Sequence, residues 1–140
     1  MKAKAGIEKL QSGQSAGELQ ADIYRLAGER DWDGVEARLA PDFILHEGAS
    51  LPFGGEWKGR DALQRCAAAM YGTWEKANVD IHEITGGKDW AVTVLTLTMT
   101  SKKTGETFDQ TVCEAGRFEN GLMKELRIHY FDAAEVAEKA

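Results

Sequence analysis

Four stretches rich in strand-forming residues fill the second half of this 140-residue chain, and short turn signals separate them. The stretches are 79–84, 89–101, 106–119 and 122–132. The turn signals are Gly86-Gly87, Thr104-Gly105 and Asn120-Gly121. Asn-Gly between two such runs is a strong indicator of a tight hairpin. The second half therefore predicts an antiparallel meander.

The first half carries helical signals instead. Ser15-Ala-Gly-Glu18 has the spacing of a capping box, and apolar residues at helical spacing follow it to about Arg30. Asp31 is a second N-cap candidate, which predicts a short helix through Leu39 that Pro41 ends. A third helix is expected from Gly59-Arg60-Asp61 to about Trp74.

Two further segments complete the predicted order of elements. Phe43–Glu47 reads as a short strand, and residues 48–58 as a loop whose apolar side chains must pack over something. Residues 133–139 predict a short helix or a frayed tail. Because helices come first and strands later, the class is α+β. We expect a cone-shaped, curved antiparallel sheet with three helices from the N-terminal half on its concave face. Residues 1–14 form a flexible arm before the domain at 15–140 in this prediction.

Charge and composition exclude several classes of function. The net charge is −6, and the basic residues form no stripe, so nucleic acid and an anionic membrane surface are not expected partners. The N-terminal residues lack the apolar core of a signal peptide. Cys66 and Cys113 predict buried, reduced thiols in a cytoplasmic protein. The three histidines share no metal-ligand spacing, and no phosphate-binding loop is present, so we expect neither metal nor cofactor.

Strand parity singles out one carboxyl group. Alternate residues of 106–119 form a mostly apolar face with Glu114 in its middle, and that face should point inward. In the last strand the apolar set is Leu126, Ile128 and Tyr130. Desolvation would raise the pKa of an inward carboxyl, which makes Glu114 a candidate functional residue. The alternative is a structural glutamate held by a hydrogen bond.

Three segments carry a resemblance to a known family. The last hairpin of SnoaL-like domains is resembled by Cys113-Glu-Ala-Gly-Arg-Phe-Glu-Asn-Gly121, together with Lys124-Glu-Leu-Arg and Tyr130-Phe-Asp132. SnoaL-like domains have the NTF2-like or cystatin-like fold of ketosteroid isomerases. Leu51–Asp61 resembles the loop that leads those domains into their third helix, and Arg30–Asp42 resembles the start of the fold. The resemblance covers nearly the whole chain after residue 15.

The resemblance implies roles for particular residues. Ketosteroid isomerases place a general-base carboxylate at the end of the first short strand, which corresponds to Glu47. They place a protonated acid just before the Arg-Phe of the penultimate strand, which corresponds to Glu114. Their oxyanion-binding tyrosine falls at Ile23, with Tyr24 one position away and turned by about 100°. SnoaL-like cyclases need only one poised acid and an apolar slot, whereas the Asp-Arg-Asp set of limonene-epoxide hydrolases has no clear match.

These observations give a leading hypothesis and two rivals. The protein would be a cofactor-independent isomerase, cyclase or lyase, in which Glu47 or His46 takes a proton next to a carbonyl and Glu114 donates to the enolate. The alternative for His46 is a structural role, as a hydrogen-bonded histidine at the helix–sheet boundary. The expected substrate-binding residues are Tyr24, Leu45, Phe53, Trp57, Tyr71, Val112, Phe118, Leu126, Ile128 and Tyr130. The rivals are a non-catalytic binder of a small hydrophobic ligand and a protein-interaction module.

The resemblance also implies a homodimer through the convex face of the sheet. The strand at 89–101 is apolar on both faces, since Val92, Val94 and Thr96 oppose Leu95, Leu97 and Met99. A strand between a core and a partner subunit would show this pattern. A bulge that switches the parity of the strand is the alternative.

Overall fold

The structure is a computed structural model, and it describes residues 14–140. The first helix, α1, spans Ala16–Gly28, and its capping box forms as the sequence predicts. The Glu18 N–H donates to Ser15 Oγ over 3.2 Å, and the Ser15 N–H donates to Glu18 Oε1 over 2.8 Å. The predicted flexible arm at 1–14 lies outside the described residues except for Gln14, whose side chain donates to Asp22.

The second helix is shorter than predicted. α2 spans Trp32–Glu36, with Asp31 as its N-cap. Leu39, expected in this helix, instead begins strand β1, Leu39–Glu47, which contains Pro41. The pairing of β1 shifts register between Leu39 and Ile44. Proline lacks an N–H donor and is tolerated in a sheet at such an irregularity, so Pro41 interrupts a strand here rather than ending a helix.

The remaining elements follow the predicted order, with one addition. In chain order they are β2 Gly55–Lys58, α3 Ala62–Thr73, β3 Lys76–Gly86, β4 Trp90–Thr100, β5 Thr107–Glu119, β6 Leu122–Tyr130 and α4 Ala133–Lys139. The segment expected to be a loop at 48–58 thus contains strand β2. The apolar part of that segment does pack inward, because Leu51 and Phe53 are buried.

The six strands of residues 14–140 form one curved, unclosed sheet in the order β2-β1-β6-β5-β4-β3. This confirms the α+β class. Neighbouring strands are antiparallel except for β1 and β6, which pair in parallel with Leu45 opposite Leu126. The parallel pair joins the N-terminal half of the chain to its last strand.

Alternation along the strands separates an inner face from an outer one. In β5 the inward set of the sequence analysis is confirmed, since Phe108, Gln110 and Val112 are buried and their neighbours are exposed or half-buried. β4 pairs with β5 in continuous register, so no bulge switches its parity. Leu95, Leu97 and Met99 face the core, and Val92, Val94, Thr96 and Thr98 form a half-buried outer face.

Two apolar clusters fill the concave side of the sheet. One joins α1 to β1 and the inner ends of β5 and β6, and the other lies under the 48–58 segment and α4. Trp74, just after α3, belongs to the second cluster and packs edge-on against Phe108, with ring centroids 5.5 Å apart. None of the helices in residues 14–140 has the length and apolar character of a membrane span.

Candidate functional site

A cavity of about 750 Å³ lies between the concave face of the sheet and helices α1 and α3. Its wall is mostly apolar, with Ile23, Leu45, Leu95, Val112, Leu126 and Ile128 among the lining residues. The cavity is not enclosed, contrary to the sequence-based expectation. Its exposed lining residues include three large hydrophobic ones, Tyr71 at 39%, Val79 at 36% and Ile81 at 40%, so the mouth opens between α3 and β3.

Glu114 lies in the middle of β5 and faces the cavity, as strand parity predicts. The Tyr24 hydroxyl donates to Glu114 Oε1 over 2.5 Å. Desolvation raises the pKa of Glu114, and the hydrogen bond from Tyr24 lowers it in part. Desolvation and the nearby carboxyl group together raise the pKa of Tyr24 well above that of a free tyrosine. The pair therefore favours a neutral carboxyl group that keeps one O–H available to a ligand.

Tyr24 reaches Glu114, although the sequence analysis placed it one position away from the oxyanion-binding tyrosine of the ketosteroid isomerases. Gln20, Ile23, Tyr24 and Ala27 all line the cavity from α1. Residues spaced three and four apart share one helical face, and that face is broad enough for two adjacent positions. The long phenol side chain then reaches Glu114 even though Ile23 occupies the neighbouring position.

A buried amide supports this pair, and sequence reasoning missed it. Gln20 is fully buried, and its Nε2 donates to Thr93 Oγ1 over 2.9 Å and to the Glu114 carbonyl over 3.2 Å. Its Oε1 lies against Gly116, where an added Cβ would come within 2.0 Å of that oxygen. A flipped amide would aim its oxygen at the Glu114 carbonyl, so the contacts fix its orientation. A polar residue on the apolar stripe of α1 was the available signal.

Glu47 is the second carboxyl group in the cavity. It ends β1 and is 8% exposed. The Cys66 thiol donates to Glu47 Oε2 over 3.6 Å, and Oε1 has no hydrogen-bond partner among residues 14–140. Desolvation, followed by repulsion from Glu114, raises the pKa of Glu47 to about 8, and the Cys66 thiol opposes this shift. Glu47 is thus a proton acceptor whose pKa lies near neutrality.

Cys66 was expected to be a plain buried thiol. It is buried in α3 and lines the cavity, and both cysteines are free. Desolvation and the adjacent Glu47 raise the pKa of the Cys66 thiol far above its usual range, so it stays protonated and acts as a donor.

Tyr130 adds a further polar group to the lining. Desolvation, followed by the Glu47 and Glu114 carboxyl groups, raises the pKa of its hydroxyl. Phe53 was predicted to line the cavity, but it does not. It packs behind Tyr130, with ring centroids 6.2 Å apart. It supports the cavity wall instead of forming it.

Two other aromatic residues expected in the cavity lie elsewhere. The indole Nε1 of Trp57 donates to the Phe53 carbonyl over 3.0 Å, and the Arg65 guanidinium lies over its ring. Phe118 belongs to the core between α1 and the end of β5. Of the predicted substrate-binding residues, the structure brings together Tyr24, Leu45, Tyr71, Val112, Leu126, Ile128 and Tyr130 in the cavity lining.

His46 does not face the cavity. It precedes Glu47 in β1, so the two side chains point to opposite faces of the sheet. Its Nε2 lies 3.5 Å from Glu125 Oε1, and its Nδ1 lies 3.7 Å from Glu56 Oε2. The expectation that His46 serves as an alternative base is therefore wrong on geometry. In the part of the chain that the structure describes, no three His, Cys, Asp or Glu side chains are grouped to hold a metal ion.

Solved structures share this fold at low sequence identity. An NTF2-like protein from Burkholderia thailandensis is 21% identical, with a TM-score of 0.79 over 90% of this chain and 97% of the other. TerC, crystallised with polyporic acid, is 18% identical with a TM-score of 0.73 over 87% and 95%. Rv0760c from Mycobacterium tuberculosis, in complex with estradiol-17β-hemisuccinate, is 19% identical with a TM-score of 0.64 over 88% and 98%.

Sequence comparison identifies the family. No curated protein matches the sequence of this chain. The family model of the SnoaL-like domain matches residues 21–126, which run from the middle of α1 into β6 and include both carboxyl groups of the cavity. The match covers more than half of the chain and agrees with the NTF2-like architecture. The chain therefore belongs to the family of SnoaL-like domains.

Proposed function

We propose that this protein binds a small, mostly apolar carbonyl compound and moves a proton at the carbon next to the carbonyl, without a cofactor. The observation that carries the proposal is the presence of two desolvated carboxyl groups with raised pKa values in one apolar cavity. Ionised Glu47 takes the proton from carbon. Neutral Glu114, held by Tyr24, donates its O–H to the oxygen on which negative charge develops.

The pKa of Glu47 sets the expected pH dependence. With a pKa of about 8, most Glu47 side chains carry a proton at pH 7 and only a minority are ready to act as base. Turnover should rise with pH and level off above about pH 8. A base of this strength is better matched to a weakly acidic C–H bond than an ordinary carboxylate.

The same observation favours one alternative, a non-catalytic binder. A largely protonated Glu47 also suits a cavity that only holds a ligand. TerC with polyporic acid and Rv0760c with estradiol-17β-hemisuccinate support ligand binding by this fold. At 18% and 19% identity they do not identify a substrate for this chain.

Deuterium exchange tests the proposal without knowledge of the natural substrate. 2-Tetralone, a compact apolar ketone, is incubated with the protein in D₂O, and loss of its α-proton signal is followed by NMR. We expect the wild-type protein to accelerate exchange, and Glu47→Gln and Glu114→Gln each to reduce that acceleration by about 100-fold or more. Glu83→Gln, which changes an exposed glutamate of β3, is the matched control.

The exchange experiment separates the two functions. If 2-tetralone binds but exchanges no faster than in buffer, the protein is a binder and not an enzyme of this kind. If exchange is accelerated and survives both cavity variants, the assigned roles of the two carboxyl groups are wrong.

The homodimer and the cytoplasmic location stay predictions. The outer face of β4, with Val92, Val94 and Thr96 half-buried, is the surface that we propose for the dimer. Val94→Lys would place a charge in the middle of that surface. Analytical ultracentrifugation should then show a shift from dimer to monomer, and a wild-type protein that sediments as a monomer would contradict the proposal.

A further inference from the structure

Arg30 has a backbone conformation that suits glycine better. Its φ is 62°, and it follows the C-cap residue of α1. Its N–H donates to the Ala27 carbonyl over 3.1 Å, and the Asp31 N–H donates to the Leu26 carbonyl over 2.9 Å, which is the pattern that commonly places glycine at this position. A β-carbon makes this conformation unfavourable. The turn itself therefore gives no reason for an arginine.

The comparison with Asn120 strengthens this point. Among residues 14–140, Asn120 is the other non-glycine residue with a positive φ, and it lies in the Asn-Gly hairpin turn. Asparagine tolerates that conformation well, and arginine has no such preference. Strained positions of this kind are worth examining for a functional role.

The side chain of Arg30 lies at the cavity mouth without an acidic partner. Arg30 lines the cavity together with Ala27 and Gly28, and it is the one lysine or arginine among the described lining residues. Its Nη1 donates to the Ala27 carbonyl over 3.1 Å, and within residues 14–140 no carboxylate lies within 4 Å of the guanidinium. Most of the donors of this guanidinium remain available to a ligand.

Helix α1 connects Arg30 to the carboxyl groups deeper in the cavity. Along the helix, exposure rises from the fully buried Gln20 through the half-buried Tyr24 to the exposed Arg30. Arg30 lies six positions after Tyr24, just past the end of α1, so its Cα is roughly 9 Å further along the direction of the helix axis. A single ligand can therefore meet Tyr24 and Glu114 at one end and the guanidinium at the other.

We infer that Arg30 binds a carboxylate at the outer end of the ligand, and that the ligand class is an elongated, apolar carbonyl compound with its carboxylate at the end remote from the carbonyl. A guanidinium presents paired N–H donors that match the two oxygens of a carboxylate. This inference rests on the proposed function, because it takes the Glu114 end of the cavity as the carbonyl site.

Two rigid probes test the inference. 6-Hydroxy-2-naphthoate carries a hydroxyl group, which stands in for the enol, and a carboxylate at the opposite end of the ring system. Its uncharged amide has the same shape. Binding of both probes is measured by fluorescence titration with wild-type protein, Arg30→Gln and Arg30→Gly. Arg25→Gln is the matched control, since Arg25 is exposed on the same helix, pairs with Asp22 and Glu29, and does not line the cavity.

We expect both Arg30 variants to bind the naphthoate about fivefold more weakly than the wild type, since the guanidinium is exposed and its ion pair is screened. Binding of the amide should not change, and Arg25→Gln should bind both probes like the wild type. The difference should shrink in 0.5 M salt. Arg30→Gly should also melt at or above the wild-type temperature, because glycine fits the turn.

The outcomes separate this inference from the proposed function. If the amide binds and weakens in Glu114→Gln but the naphthoate binds Arg30→Gln as tightly as the wild type, only the role of Arg30 is wrong. An equal loss in Arg25→Gln would reduce the effect to overall charge and overturn the inference. A lower melting temperature for Arg30→Gly would show that the turn needs the arginine. If neither probe binds the wild-type protein, the carbonyl site fails together with the inference.

Discussion

Glu114 and Glu47 line the same cavity and both carboxyl groups are desolvated, yet the hydrogen bonds that these groups accept differ in strength. Glu114 receives the Tyr24 hydroxyl, and its strand is tied to Gln20 through its own carbonyl. Glu47 receives a thiol contact at 3.6 Å and leaves one oxygen without a partner among residues 14–140. This difference affects both stability and reactivity. A buried polar atom without a partner, such as Glu47 Oε1, destabilises the fold and is available to react.

The contrast assigns one role to each end of the site. A carboxyl group held by a short hydrogen bond from a hydroxyl keeps its position while charge develops on a ligand, which suits a fixed donor. A carboxyl group with a free oxygen has room to accept a proton from carbon. The following predictions test this division, beginning with the largest expected effect.

Glu47→Gln should abolish the loss of unfolding free energy that the wild type undergoes through Glu47 as the pH rises. Below pH 4.5 Glu47 carries its proton in both states, and between 4.5 and about 8 the unfolded state loses the proton first, so the folded state weakens as pH rises and then levels off. The contribution of Glu47 to this loss is on the order of 4 kcal/mol. Urea unfolding at pH 5 and pH 9 measures it.

Part of the decline should remain in Glu47→Gln, because burial also raises the pKa of Glu114. Glu83→Gln, on an exposed position of β3, should unfold like the wild type at both pH values. An identical pH dependence in Glu47→Gln and the wild type would contradict the assignment of an unpaired, desolvated acid.

Gly116→Ala should disturb the Glu114 end of the cavity. The added Cβ would lie 2.0 Å from Gln20 Oε1 and 2.8 Å from Met123 Cε, so the amide must move. Overpacking of this kind costs about 1–3 kcal/mol. Gly72→Ala on α3 is the control, because nothing lies within 4 Å of its added Cβ, and it should leave the protein as stable or more so. A Gly116→Ala variant with the same unfolding free energy as the wild type would show that Gln20 is not held in place.

Tyr24→Phe should raise the pKa of Glu114 further, since it removes the hydrogen bond that lowers it. The loss of one buried hydrogen bond costs about 1 kcal/mol of unfolding free energy. Titration of ¹³C-labelled glutamate side chains by NMR follows the shift directly. If the Glu114 resonance titrates as in the wild type, Tyr24 does not control that carboxyl group.

Substitutions at Cys66 should produce the smallest effect, a shift in the pKa of Glu47. Cys66→Ala removes the one donor to Glu47 and should raise its pKa slightly, whereas Cys66→Ser offers a stronger O–H donor and should lower it. The same NMR titration measures both variants. Shifts of the same sign in the two variants would indicate that packing, and not the donor, sets the pKa of Glu47.

Strand parity accounts for what the sequence predicts well. Period-two alternation placed Glu114, Val112 and Leu126 on the inner face, because in a half-covered sheet a shift of one residue would expose the whole apolar set. The hairpin turns and the capping box are local features, so their residues alone specify them. The order of elements and the α+β class followed from these signals.

The features that sequence reasoning missed depend on contacts between distant segments. Helical position alone could not show that Tyr24 reaches across to β5, or that Gln20 finds Thr93 there. The strand character of Leu39–Asp42 was hidden because it comes from pairing with β6, against the local preference at Pro41. Phe53 and Phe118 were expected in the cavity because apolar side chains look alike in sequence whether they line a cavity or fill a core.

The parallel pairing of β1 with β6 affects the order in which the site can be assembled. As the chain leaves the ribosome, helices α1 to α3 and strand β1 emerge well before Leu122–Tyr130, the strand that flanks β1 on one side. Until that strand is made, the segment carrying Glu47 has only the short β2 beside it, and closing so long a loop slows the search for the native arrangement. Nascent chains of this protein should therefore expose the apolar residues of β1 until Leu122–Tyr130 has been made, when the two carboxyl groups first come to share one cavity.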